Sequence, residues 1–193
     1  MSVNVSTSTP VDPRVTRSRR AVLDAVVAEL GAVGYGAMTI ESVARRAGVG
    51  KATIYRHWDG KIDLVESTLE ELRDDDPLES DGTPREQVIV MIRQLAAMMA
   101  HSRLSVCLPA LVSAAQHDDI VREFHQRFAG ERRSQLVALI EKAQLAGEVA
   151  RDADSQMLAE SLAGAIFYRR LMTPEPFPPE RVDELVNTIL PRP

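Results

Sequence analysis

Apolar residues recur at three- and four-residue spacing in one segment after another, and no useful length alternates with period two, which predicts an all-α protein without a sheet. Val15, Val22, Val26, Leu30 and Val33 mark a first helix that opens at Asp12-Pro13 and runs to Gly34. Thr39 is placed to cap a short second helix with Val43, Ala44 and Ala47 on one face; Gly48 ends it and Val49 fills the corner. A third helix, Lys51 to Trp58, buries Ile54 and Trp58 one turn apart and turns Lys51, Ala52, Thr53, Tyr55, Arg56 and His57 outward or to its flanks. Asp59 then caps a fourth, with Ile62, Leu64, Val65, Leu69 and Leu72 as its apolar stripe.

The acidic run Asp74-Asp75-Asp76 before Pro77, followed by Ser80, Asp81 and Gly82, reads as a loop and as the boundary between domains. Thr83-Pro84-Arg85-Glu86 combines a capping box with Pro at the first helical position and launches a helix to about His101. Leu104 to Gln116 follows, with Pro109 kinking or delaying it. Asp118 opens a long amphipathic segment that reaches Gly147, interrupted only by Gly130. Asp154 or Ser155 caps a helix to Met172, the prolines from Pro174 to Pro179 end it, and Glu180 to Leu190 forms the last. The sum is about nine helices, arranged as a three-helix head followed by a larger helical domain.

The first three helices have the outline of a helix-turn-helix, the DNA-reading motif in which the second helix of the pair enters the major groove. A net charge of −5 runs against a nucleic-acid partner until charge is counted by segment. Residues 14–61 hold nine Lys and Arg against four acids, a local charge of +5, so the remainder carries −10. A basic end on an acidic body orients the molecule towards a polyanion and limits nonspecific wrapping.

The residues Ala47-Gly48-Val49, Tyr55-Arg56-His57-Trp58 and Lys61 resemble the signature of the tetracycline-repressor-like (TetR) transcriptional regulators, over about the first third of the chain, Arg19 through Leu64. The chain departs from the pattern at Gly50, where such proteins often carry Ser or another polar residue; any phosphate contact there falls to the backbone amide. Lys51, Arg56 and Lys61 are candidates for phosphates or guanine edges, Thr53 for a base or methyl group, Ala52 for a thymine methyl, and Tyr55 and His57 for phosphates. The amino end of the helix opened by Thr39 offers free amides to a phosphate, and Arg45, late in that helix, is a further backbone candidate.

The division this suggests is a Ser/Thr-rich flexible arm over residues 1–13, a DNA-binding domain over 14–61, and an effector-binding and dimerisation domain over 62–193, joined by the fourth helix. In the larger domain Leu158, Leu162, Ala165 and Ile166, with Leu185 and Ile189 of the last helix, make a face for a four-helix bundle between two copies. Two heads about 34 Å apart address successive major-groove faces of a palindromic operator, which one head cannot discriminate. Met91, Met98, Met99, Cys107, Phe124 and Phe128 are soft or aromatic side chains suited to an adaptable cavity. The resemblance implies that this domain takes a small effector which shifts the population away from the operator-fitting spacing, with the fourth helix as lever. Repression is likewise what the resemblance implies.

A composition of 45% hydrophobic and 26% charged residues supports a real core. One cysteine excludes an intrachain disulfide, and the absence of an apolar run near 18 residues excludes a spanning helix, so a cytoplasmic protein without membrane partners is expected. No catalytic residue, metal ligand or cofactor is expected: His101, His117 and His125 lack metal-ligand spacing, and no Gly-x-Ser-x-Gly or phosphate-binding loop occurs. The remaining rivals are an enzyme built on the apolar pocket and a helical adaptor whose helix-turn-helix only scaffolds partners.

Overall fold

The computed structural model describes residues 13–72 and 81–193. The amino-terminal arm with Asp12, and the acidic run Asp74 to Asp76, lie outside them. Among the described residues are nine α-helices and no strand: α1 (Pro13–Ala37), α2 (Ile40–Ala47), α3 (Lys51–Tyr55), α4 (Lys61–Glu71), α5 (Pro84–His101), α6 (Leu104–Ala114), α7 (Asp119–Leu145), α8 (Ser155–Met172) and α9 (Val182–Ile189), the last preceded by a 3-10 turn at Pro179–Arg181. The chain forms two compact units, the first ending at Thr68 and the second beginning at Leu69. The boundary therefore falls inside α4, later than the expected break after Lys61 and earlier than the loop expected around Asp74 to Gly82; Leu64 and Val65, on the head side of it, are buried.

Several helix ends follow from local chemistry. Thr83 and Glu86 close a reciprocal capping box at α5, Asp118 accepts from the amides of Ile120 and Val121, and Asp154 accepts from Met157. Asp59 does not cap α4; its own amide donates to the Asp63 carboxylate at 2.9 Å, so the acid inside the first turn reaches back instead. Gly130 does not interrupt α7, which is continuous for 27 residues: an internal glycine costs only about 1 kcal/mol, which packing elsewhere along the helix outweighs. On α1 the buried positions include Val22, Leu23, Val26, Val27 and Leu30, with Glu29 among them, whereas Val15 and Val33 are exposed. Val33 directly precedes Gly34, whose φ of 75° and ψ of 169° break the helix.

The second unit is organised around one apolar cluster drawn from α5, α7, α8 and α9, including Val88, Ile92, Ile140, Leu162, Ile166 and Val186. Leu162 and Ile166 are fully buried within the single chain, so they have no surface to offer a partner, and the expected placing of these two at a dimer interface is corrected. Leu158, Leu185 and Ile189 are partly buried against the same cluster, and Ala165 is half-buried. The exposed positions of α8 are instead Gln156, Met157, Glu160, Ser161, Gly164, Tyr168, Leu171 and Met172, of which Met157, Ser161, Gly164, Tyr168, Leu171 and Met172 make one helical stripe with Gln156 and Glu160 at its edge. The outward positions of α9, Asp183, Glu184, Asn187 and Thr188, are polar.

Long polar side chains, Arg85 and Gln144 buried and Arg122 and Arg170 half-buried, bolt this unit together. The guanidinium of Arg85 donates to the backbone oxygens of Glu148 and Leu190 and to Asn187, tying the start of α5 to the α7–α8 loop and the end of α9. Gln144 donates to the carbonyls of Ala150 and Ala153 and shapes the same loop. Arg122 of α7 donates to Ala115 and Gln116, serving carbonyls left over at the end of α6. Pro109 stays inside α6 rather than delaying it. Its ring nitrogen cannot serve the Ser105 carbonyl four residues earlier, and Arg170 of α8 donates to that carbonyl at 2.9 Å in its place. Among the described residues no single helix is long and apolar enough to cross a membrane.

Arg170→Ala should lower stability by about 1–3 kcal/mol, the cost of orphaning a buried acceptor. In a Pro109→Ala background, where a backbone N–H is restored, the same substitution should cost much less in urea denaturation; equal penalties in the two backgrounds would contradict the shared-acceptor account.

Candidate nucleic-acid interface

Within the first unit, α2 and α3 are held by short-range chemistry at both ends. The Thr39 hydroxyl accepts from the Ser42 amide at 3.0 Å, and the Ser42 hydroxyl accepts from the Thr39 amide at 3.2 Å. Gly48 ends α2 at φ 68°, ψ 29°, and the Val49 amide closes back onto the Ala44 carbonyl at 3.0 Å. Glycine is required here by the left-handed backbone. Gly50 precedes α3 in an extended conformation with no side-chain cap, which leaves the first amides of that helix without a side-chain acceptor.

The third helix is shorter than its apolar spacing predicts, ending at Tyr55 because the chain turns: the amides of His57 and Trp58 both donate to the Ile54 carbonyl. Its two anchors keep their expected place, since Ile54 and Trp58 are buried. That burial sets the direction of everything else. Lys51, Ala52, Tyr55, Arg56 and His57 are exposed, Tyr55 to 55%, and Thr53 is half-buried. The His57 ring stands edge-on to Trp58 with centroids 5.6 Å apart. Thr39, Arg45 and Gly50 are also exposed. Lys61 is half-buried, its ammonium 4.1 Å from the Tyr35 ring centroid and 3.4 Å from the Gly36 carbonyl, so it braces the α1–α2 corner as well as carrying charge.

Two ion pairs that sequence spacing does not reveal shape the electrostatics. Arg46 of α2 donates to Glu29 of α1 at 2.6 Å, and the Glu29 carboxylate is nearly buried. The Ser42 hydroxyl, followed by the Arg46 guanidinium, holds the Glu29 carboxyl below its ordinary range. Lys51 donates to Glu41 at 2.8 Å across the α2–α3 turn, an exposed pair in which each partner favours the other's charged form. Glu29 interrupts an apolar helix face, which is the one sequence signal that pointed to a buried partner. Glu41 carries no comparable mark.

Elsewhere, Met91 and Met99 belong to the main core and Met98 packs against it, while Cys107, Phe124 and Phe128 are not members of that cluster. Phe124 and Phe128 contact each other with ring centroids 5.4 Å apart. Burial pushes the Cys107 thiol up to about 11, so it stays protonated at neutral pH and acts as a small apolar group.

A short reading helix on two buried anchors, with cations and hydroxyls turned outward, defines a helix-turn-helix DNA-binding head. The comparisons agree. Residues 22–68 match the family model of bacterial regulatory proteins of the tetR family, and residues 78–189 match that of the tetracyclin repressor-like C-terminal domain. The helix-turn-helix transcriptional regulator YdeS of Bacillus subtilis, itself uncharacterised, is 31% identical over 176 residues, covering 90% of this chain and 88% of the relative. The DNA-binding transcriptional repressor TetR of Mycobacteroides abscessus is 28% identical over 160 residues, covering 81% and 83%. A candidate fatty acid metabolism regulator of Clostridium perfringens shares the fold with a TM-score of 0.75 at 18% identity, covering 88% of this chain and 96% of that one. This chain belongs to the TetR family of transcriptional regulators.

Because the Glu29 carboxyl is depressed in the fold, its pairing stabilises fully above the ordinary carboxylate value of about 4.3 and is lost as pH falls through the lowered value. Glu29→Gln should therefore melt below the wild type at neutral pH, and the gap should narrow on acidification towards about pH 3. A gap that stays constant across that range would contradict the assignment.

Proposed function

We propose that the protein is a dimeric, sequence-specific repressor that leaves a palindromic operator when a small apolar or amphipathic effector binds its second unit. The observation that carries the DNA-binding part is the outward row Lys51, Tyr55, Arg56 and His57 on the buried base of Ile54 and Trp58. Arginine and lysine there serve phosphates and guanine edges, Ala52 and Thr53 a thymine methyl, and Tyr55 and His57 phosphate oxygens. Thr39 still has its hydroxyl hydrogen to donate after capping, and Arg45 and Lys61 extend the cationic face. Glu41 holds Lys51 in the free protein, and an exposed pair of this kind is weak enough to open for a phosphate.

Dimerisation is supported by the stripe on α8. Tyr168 is 62% exposed and Met172 71%, with Met157 at the other end and small Ser161 and Gly164 between, so a second helix could approach closely. This stripe, with Leu158 and Ala165 at its margin, replaces the Leu162–Ile166 face as the contact between copies. The effector would bind among the methionines of α5 and the Cys107, Phe124 and Phe128 group, whose soft and aromatic side chains re-pack at low cost. Helix α4 runs through the boundary between the two units and is the element through which a change in one would reach the other.

Tyr55→Ala should abolish the mobility shift of a duplex selected by the wild type from a random-sequence library, with thermal midpoint and oligomeric state unchanged. A shift retained at wild-type strength would refute the reading-helix assignment. For the dimer, Tyr168→Arg should weaken self-association at least tenfold in sedimentation equilibrium, about 1.4 kcal/mol, and weaken operator binding with it. Undiminished self-association would remove α8 from the interface.

A further inference from the structure

The reading surface described so far belongs to α2 and α3, with Lys61 beside them. The first unit also has an open groove of about 210 Å³ between α1 and α3, lined by Val15, Ser18, Arg19, Val22, Thr53, Arg56, His57 and Trp58. We infer that this groove seats a backbone phosphate of the DNA duplex, with Arg19 and Ser18 of α1 completing a contact begun by Thr53 of α3 and by Arg56 and His57 just after it. The inference rests on the DNA-binding reading and extends it to a helix that otherwise only supports the head.

Three observations converge on a phosphodiester. The floor is apolar, built from Val22 and Trp58, while the five polar residues can all donate hydrogen bonds and none of the described lining residues is acidic. An anion is the complementary occupant of such a rim, and guanidinium groups are suited to phosphate through paired N–H donors. The volume is several times the roughly 30 Å³ that one water occupies in the liquid, enough for a phosphate group with its oxygens against the rim. Continuity selects the duplex over a free anion: Thr53, Arg56 and His57 belong to the same short helical segment as Lys51 and Tyr55, so the groove flanks the reading face. The exposure of Val15, unexpected from its place in the α1 stripe, follows from its position on the wall of this open groove.

A phosphate contact positions a protein without reading sequence, so its loss should weaken every duplex by the same factor. Arg19→Ala, Arg19→Lys and Ser18→Asp should be compared with the wild type by fluorescence anisotropy on the selected duplex and on a scrambled duplex, between 50 and 200 mM salt. Arg19→Ala should weaken both duplexes about equally, by several-fold or more, and shallow the log–log salt slope by about 0.9, whereas Arg19→Lys should keep most of the slope. Ser18→Asp, which places a carboxylate on the rim, should reproduce the uniform loss and decides the matter if Arg19→Ala fails to fold. An unchanged slope, a loss confined to the selected duplex, or competition by inorganic phosphate with the DNA slope unaltered in the variants overturns the groove assignment while wild-type binding stands. A wild type that binds neither duplex overturns the DNA reading itself, and the groove assignment with it.

Discussion

The burial of Ile54 and Trp58 is the constraint on which the head depends. A helix of five residues cannot persist in water, because the cost of nucleating it exceeds what so few hydrogen bonds return. Here the apolar side chains are fixed by the interior of the unit, and the helix is the conformation that lets both be buried at once. Every outward side chain inherits its direction from those two. The exposed face of α3 is therefore positioned by the core beneath it rather than by the five residues alone.

The electrostatics of the head are set by competition as much as by attraction. Of the cations in the basic segment, Arg46 is committed to the buried Glu29 carboxylate, Lys61 lies over Tyr35, and Lys51 shares its proton donors with Glu41. A net segment charge consequently overstates the attraction available to a polyanion. Arg17, Arg19 and Arg20 of α1, Arg45 of α2 and Arg56 after α3 are exposed, and Arg56 and His57 border the α1 groove. A ligand that must displace weak internal partners binds less indiscriminately than one meeting bare charge, which suits a protein that has to pass over nonspecific DNA.

The second unit meets a different problem, that of burying polar backbone in a helical core. Arg85, Gln144, Arg122 and Arg170 each carry donors to carbonyls that the helices leave unserved. Arg170 is the clearest case, since it substitutes for the N–H that Pro109 lacks and thereby lets α6 continue through a proline. These long side chains link elements distant in sequence, and they specify one arrangement of helices where apolar packing alone would tolerate several.

By itself the sequence determined the all-helical class, the order of the elements and most of their ends, because caps, left-handed glycines and the 3.6-residue period are local. It also located α3 and its two buried anchors, since Ile54 and Trp58 are spaced one turn apart and the family signature surrounds them. Only tertiary structure decided which apolar faces are spent inside the chain. Leu162 and Ile166 carry the same periodic mark as Met157 and Tyr168, but the first pair is covered by α5, α7 and α9 and the second is open to solvent. Which cation meets Glu29, the ion pair of Glu41 with Lys51, the Arg170 bond to Ser105 and the groove beside Arg19 were likewise decided only in tertiary structure. Periodicity states that a face is apolar, or that a residue is charged; what lies opposite it depends on contacts between segments that the chain brings together only on folding.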